Sequence, residues 1–161
     1  MNRLFVIVYG RIDRLIWRLF NRLRLLRLKM LGVQVGKGVR IYGRVMIVGD
    51  PCKLVIGEGS SINEGVILNV RAGVTLGKHV HLSSYAQIHT GSLELHTGEK
   101  QHFSAPVIIG DYVWIASGAV VVPGVTIGDG CVIAANSVVT RNLSGAMMAG
   151  GAPARIIRAL H

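Results

Sequence analysis

The chain has 161 residues, a formal charge of +10 at neutral pH, 50% hydrophobic residues and only 6% aromatics. That is one domain's length with material for a real core, and the low aromatic share suits a narrow interior of Ile, Val and Ala. Its two cysteines, Cys52 and Cys131, show neither disulfide nor metal-site spacing, which excludes a disulfide framework and points to a reducing compartment.

The charge is segregated. Residues 1–31 carry eight bases against one acid, Asp13, whereas the other 130 carry ten bases and seven acids. Within 1–31, Ile12, Leu15, Ile16, Leu19, Phe20, Leu23, Leu26 and Met30 keep helical spacing, with Arg11, Arg14, Arg18, Arg22 and Lys29 on the other side. This predicts a basic amphipathic helix of the kind that lies on a membrane surface. The apolar run Leu4–Tyr9 is too short to span a bilayer and lacks the small-residue cleavage site of a secretory signal. The expected location is cytoplasmic, peripheral to the inner face of a bacterial cell membrane. The competing reading is a helix that packs on a neighbouring subunit or caps the domain. Nucleic acid fits less well: leucines, not stacking aromatics, separate the charges, and the rest of the chain is nearly neutral.

From residue 33 an aliphatic beat recurs every six positions. It runs in threes: Val35, Ile41, Ile47; Ile56, Ile62, Leu68; Leu76, Leu82, Ile88; Ile109, Ile115, Val121; Ile127, Ile133, Val139. A smaller inward residue follows most of these beats by four positions, among them Val39, Val45, Ser60, Val66, Ala119, Cys131 and Ser137. A helix wants spacings of three and four and a lone strand wants two, so a six-residue beat predicts a hexapeptide β-helix. Every irregular gap falls after a third beat, which makes three hexads one triangular coil and sends all insertions out of one edge. The expected fold is all-β: a parallel β-helix of about five triangular coils over 33–142, roughly 24 Å tall at strand spacing, with both ends needing caps.

The longest interruption, 89–108, is expected to be a corner loop, and long loops in compact domains are usually functional. It carries His89, His96 and His102. His79 and His81 read as surface or interface histidines near a coil turn. Residues 143–161 are expected to form a tail with a short C-terminal helix.

Segment 107–140, VIIGDYVWIASGAVVVPGVTIGDGCVIAANSVVT, together with the tail GGAPARIIR at 150–158, resembles the hexapeptide-repeat acyltransferases of the maltose, galactoside and colanic-acid O-acetyltransferase type. The resemblance covers about residues 33–158. It implies a left-handed β-helix, a homotrimer, and acyl transfer from coenzyme A to a hydroxyl. The hand comes from the resemblance alone, since parallel crossovers elsewhere are right-handed. It also implies a histidine general base in or beside the corner loop, a role suited to neutral imidazole. Position 93, where that histidine is expected, is Leu93. The candidates for the base are therefore ranked His96, His102, His89.

The remaining roles are implied by the same resemblance. Asn63 is expected to hold the acceptor. The Ser117 backbone N–H, beside Gly118, is expected to face the thioester carbonyl. Trp114 would lie beside the cofactor arm, and Ala134, Ala135 and Asn136 would line its groove. Arg141 and Arg155 would meet the cofactor's phosphates. The expected activity is O-acetyl transfer from acetyl-CoA to a cell-surface glycan or lipid-linked saccharide precursor, in one ternary complex and without a metal. The γ-class carbonic anhydrases share such a fold with histidine-bound zinc. A metalloenzyme of that kind and a non-catalytic scaffold are the alternatives.

Overall fold

The computed structural model describes residues 16, 18–96 and 99–160, with side chains for all of these except 94–96, 99 and 100. The six-residue beat folds as expected into five triangular coils. The first face stacks Gln34–Val35, Leu54–Ile56, Val74–Leu76, Val107–Ile109 and Thr126–Ile127. The second stacks Arg40–Ile41, Ser61–Ile62, His81–Leu82, Trp114–Ile115 and Val132–Ile133, and the third runs from Met46–Val48 to Val138–Val139. All these pairings are parallel and keep the beat in register: Ile41, Ile62, Leu82, Ile115 and Ile133 align across the second face.

The register explains the composition. Each short strand turns one aliphatic side chain inward, and from Ile56 to Val139 every beat residue is at most 1% exposed. Burying one such side chain contributes about 1.5–3 kcal/mol. The small inward positions hold polar groups only where the backbone can satisfy them. Ser60 Oγ donates to Gly77 O and accepts the Val80 N–H, both at 3.0 Å. Cys131 is buried, its Sγ lies 3.0 Å from Ser144 O, and burial pushes its thiol pKa up. A thiol held protonated in this way is packing, as the beat predicts.

The helix spans residues 18–30 and does cap the column, but not with its apolar stripe. Asn21 and Arg24 bond the open edge of the first coil: Asn21 Oδ1 accepts the Ile41 N–H at 2.8 Å, and Arg24 donates to Ile41 O at 3.2 Å. Leu25 and Leu28 pack on the core beneath. Ile16, Leu19, Leu23, Leu26 and Met30 remain exposed on another side of the helix. The expected interfacial face and the competing cap thus occupy different sides of one helix. Of the expected anchor segment, residues 1–15 and 17 lie outside the described residues.

Two expectations about the chain's irregular parts are corrected. The 89–108 excursion is not structureless: Gly91–His96 and Glu99–Ser104 pair as an antiparallel ribbon. The tail is not helical either. Met147–Gly151 adds a sixth parallel layer to the second face, and Ala154–Ala159 folds back on it antiparallel. The sheet edge left by Val132–Ile133 supplies the hydrogen-bond partners, and β-branched Ile156 and Ile157 suit a strand. The hairpin covers that edge and buries Ala149 completely.

Candidate active site

Strand register on the second face builds one end of the site. Arg40, Ser61, His81 and Trp114 follow one another across four coils. Trp114 is half exposed, and its indole N–H donates to Ser83 Oγ at 2.9 Å, which fixes the ring against the face. Asn63 is partly buried two residues beyond Ser61, and its N–H donates to Leu82 O at 2.9 Å.

The next corner holds the rest. The Gly118 N–H donates to Ser84 O at 3.1 Å, and the Asn136 N–H donates to Ser117 O at 3.0 Å, so Ser117–Gly118 and Ala135–Asn136 stack on successive coils. Gly118 has φ +68°, and a Cβ there would run into Asn136 Oδ1, so glycine is required for both reasons. The Ser117 N–H donates to nothing among the described residues, and Ser117 is exposed. Ala134 lies against Gly150, close enough that a Cβ on Gly150 would stand 3.1 Å from the Ala134 Cβ. Trp114, Ser117, Gly118, Ala134, Ala135 and Asn136 thus form one continuous edge of the fourth and fifth coils. Small residues there permit close approach of a slender chain. Arg155 pairs with Gly150 in the terminal hairpin beside this edge. Arg141 stands elsewhere, past the end of the third face, and both arginines are exposed.

The three loop histidines are not brought together. His89 sits at the ribbon's root, where its Nε2 donates to Gln87 Oε1 at 2.9 Å and burial lowers its pKa. Thr90 beside it is fully buried; its Oγ1 donates to Asn69 O at 2.8 Å and accepts the Ala72 N–H at 3.1 Å. That rooting holds the ribbon to the column. His102 is exposed and stands directly opposite Leu93. His96 pairs with Glu99 near the ribbon's far end, and its side chain lies outside the described set.

Sequence reasoning set His81 aside as a surface residue. It is exposed, but its Nδ1 shares a 2.6 Å hydrogen bond with Ser61 Oγ, and it lies one strand below Trp114. The phase of the beat carried that signal, since His81 and Trp114 both directly precede a second-face beat residue. Among the described residues, no three His, Cys, Asp or Glu side chains converge as a metal site requires.

Residues 106–141 match the family model described as bacterial transferase hexapeptide (six repeats). WcaF of Escherichia coli K12, named for acetyl transfer in colanic acid biosynthesis, is 36% identical over 140 residues, which is 85% of this chain and 75% of that protein. A hexapeptide-repeat acetyltransferase of Vibrio cholerae, solved with acetyl coenzyme A, is 32% identical with a TM-score of 0.81, over 86% of this chain and 76% of that one. A maltose O-acetyltransferase of Clostridium difficile 630 is 30% identical with a TM-score of 0.82, over 99% and 90%. The chain therefore belongs to the hexapeptide-repeat acetyltransferases and shares their left-handed β-helix.

Proposed function

We propose that this chain is a homotrimeric O-acetyltransferase that moves the acetyl group of acetyl-CoA to a hydroxyl of a glycan or lipid-linked saccharide precursor at the cytoplasmic face of the membrane. The observation that carries the reading is the unbonded Ser117 N–H on an edge of small residues next to Trp114, in a chain of this family. Names among its relatives, maltose O-acetyltransferase and colanic acid biosynthesis, support a saccharide acceptor. Exposed aromatics beside that edge, Tyr85 and Trp114, support a neighbouring subunit there.

In this reading His102 is the general base, displacing His96 from first place, because it occupies the ribbon position across from Leu93. Its imidazole removes the acceptor's proton as the hydroxyl oxygen attacks the thioester carbonyl. The oxygen–carbon bond forms, and the Ser117 N–H receives the charge developing on the carbonyl oxygen. The carbon–sulfur bond then breaks, and the imidazolium returns the proton to the leaving sulfur. Asn63 orients the acceptor, and Arg155, in the hairpin beside the edge, meets the donor's phosphates.

The exposed stripe from Ile16 to Met30 supports membrane-surface placement. Arg18, Arg22 and Lys29 accompany it, and no acid occurs between Asp13 and Asp50. The function is tested by following coenzyme A release from acetyl-CoA with maltose, a galactoside or a lipid-linked oligosaccharide as acceptor. Acceptor-dependent release is expected. Release at the solvent background with all three contradicts the proposal.

A further inference from the structure

Among the described residues, the cap closes the column on one side only. Inward residues of the second coil's third face, Val66 and Leu68, are completely buried, yet their first-coil counterparts Val45 and Ile47 are only partly covered. The helix bonds the second face, through Asn21 and Arg24 to Val39 and Ile41, and among the described residues the third face is left open. What remains is a cavity of about 770 Å³ between Leu28 of the helix and Val45, Ile47 and Leu54 of the column. That volume lies inside the range of roughly 300–1,000 Å³ found for specific ligand sites.

Arg24, Arg27 and Arg44 line the cavity, and none of its described lining residues is acidic. Glu64, which accepts the Arg44 backbone N–H at 3.0 Å, is not among them. Arg24 uses one donor on Ile41 O and keeps others free of the cap. An apolar chamber with three guanidinia fits a ligand that is hydrocarbon at one end and phosphate at the other.

We infer that this end of the column binds a phosphate-headed membrane lipid, with its hydrocarbon tail beneath the capping helix and its phosphate on Arg24, Arg27 and Arg44. Its three arginines stand on the helix and the first coil, away from the Ser117–Asn136 edge of the fourth and fifth coils, although Tyr85 also lines it; the site deepens the membrane-surface reading, on which it rests. The helix would lie on the bilayer by its outer stripe while a lipid from that bilayer enters under its inner side. Such a lipid would hold the chain in one orientation, which surface adsorption alone does not.

The test uses the full chain and dodecyl phosphate below its micellar concentration, with dodecyltrimethylammonium as the same tail bearing the opposite charge. Native mass spectrometry is expected to show one dodecyl phosphate per subunit and no comparable adduct with the ammonium probe. Val45→Trp and Ile47→Phe, which fill the chamber, should each abolish the adduct. Paired Arg27→Glu and Arg44→Glu should weaken it by about tenfold or more. The filled variants should still sediment with vesicles containing phosphatidylglycerol, because the outer stripe is untouched; loss of sedimentation by the wild type would instead defeat the membrane reading. Three results overturn the inference: no adduct on the wild type, equal binding of both probes, or an unchanged adduct in the filled variants. Loss of subunit association in the filled variants, with no adduct on the wild type, assigns the chamber to a second copy of the chain.

Discussion

Leu93 and His102 face each other across the antiparallel ribbon that leaves the third coil, paired two positions from its root. Directly opposed residues share one face of a ribbon with Cβ atoms about 4.5–5.5 Å apart. An imidazole at position 102 therefore projects from nearly the same place as one at position 93 would. His102→Gln is expected to lower kcat by roughly 10²–10⁴-fold with little effect on the KM for acetyl-CoA. His96→Gln and His89→Gln should each change it by less than about tenfold. In the double variant Leu93→His, His102→Gln, partial recovery is expected. Steady-state kinetics with one acceptor checks all four.

On the proposed cofactor edge, Gly118 has no room for a side chain. A methyl group there meets Asn136 Oδ1, and φ +68° is unfavourable for alanine. Gly118→Ala should raise the KM for acetyl-CoA while the column still melts cooperatively. Calorimetry and kinetics on the same sample separate the two effects.

Stability inside the wall is tested at Ser60, whose hydroxyl serves the buried Val80 N–H. Ser60→Ala leaves that donor unsatisfied, and a loss of about 1–3 kcal/mol is expected by denaturant unfolding.

His89 gives the fold an acid sensitivity. Burial lowers its pKa below the ordinary 6.5, so the folded state holds its proton less tightly than the unfolded chain does. The neutral form's contribution is complete above pH 6.5 and is lost as pH falls from there toward the lowered folded value. Between pH 7 and pH 5, His89→Gln should lose less stability than the wild type; thermal melts across that window check the sign.

Much of this fold was legible in the sequence because a triangular coil converts geometry directly into spacing. Each face turns one beat residue inward, so Ile115 and Ile133 announce their burial and their partnership at once. The irregular parts were harder for physical reasons. The six-residue beat has nothing to say about the ribbon, whose only signal was the period-two alternation of Leu93 and Leu95. The tail's ARIIRA carries no strong turn or cap at its end, and its strand pairing is dictated by the open edge of Val132–Ile133. The helix was found, but its capping contacts through Asn21 and Arg24 depend on which edge of the first coil lies exposed. Of the site, the edge residues Trp114 to Asn136 came from the family resemblance, and the beat's phase accounts only for their lying on successive coils. The choice among histidines follows from neither, because it turns on cross-strand register in the ribbon.

The most direct test of the proposed mechanism is a crystal structure of the full chain with coenzyme A and a saccharide. The thiol is expected beside the Ser117 N–H, with a His102 ring nitrogen within roughly 2.6–3.2 Å of the acceptor hydroxyl or one water away. Coenzyme A bound with its thiol remote from Ser117, or an acceptor beyond the reach of every His102 in the assembly, would contradict it.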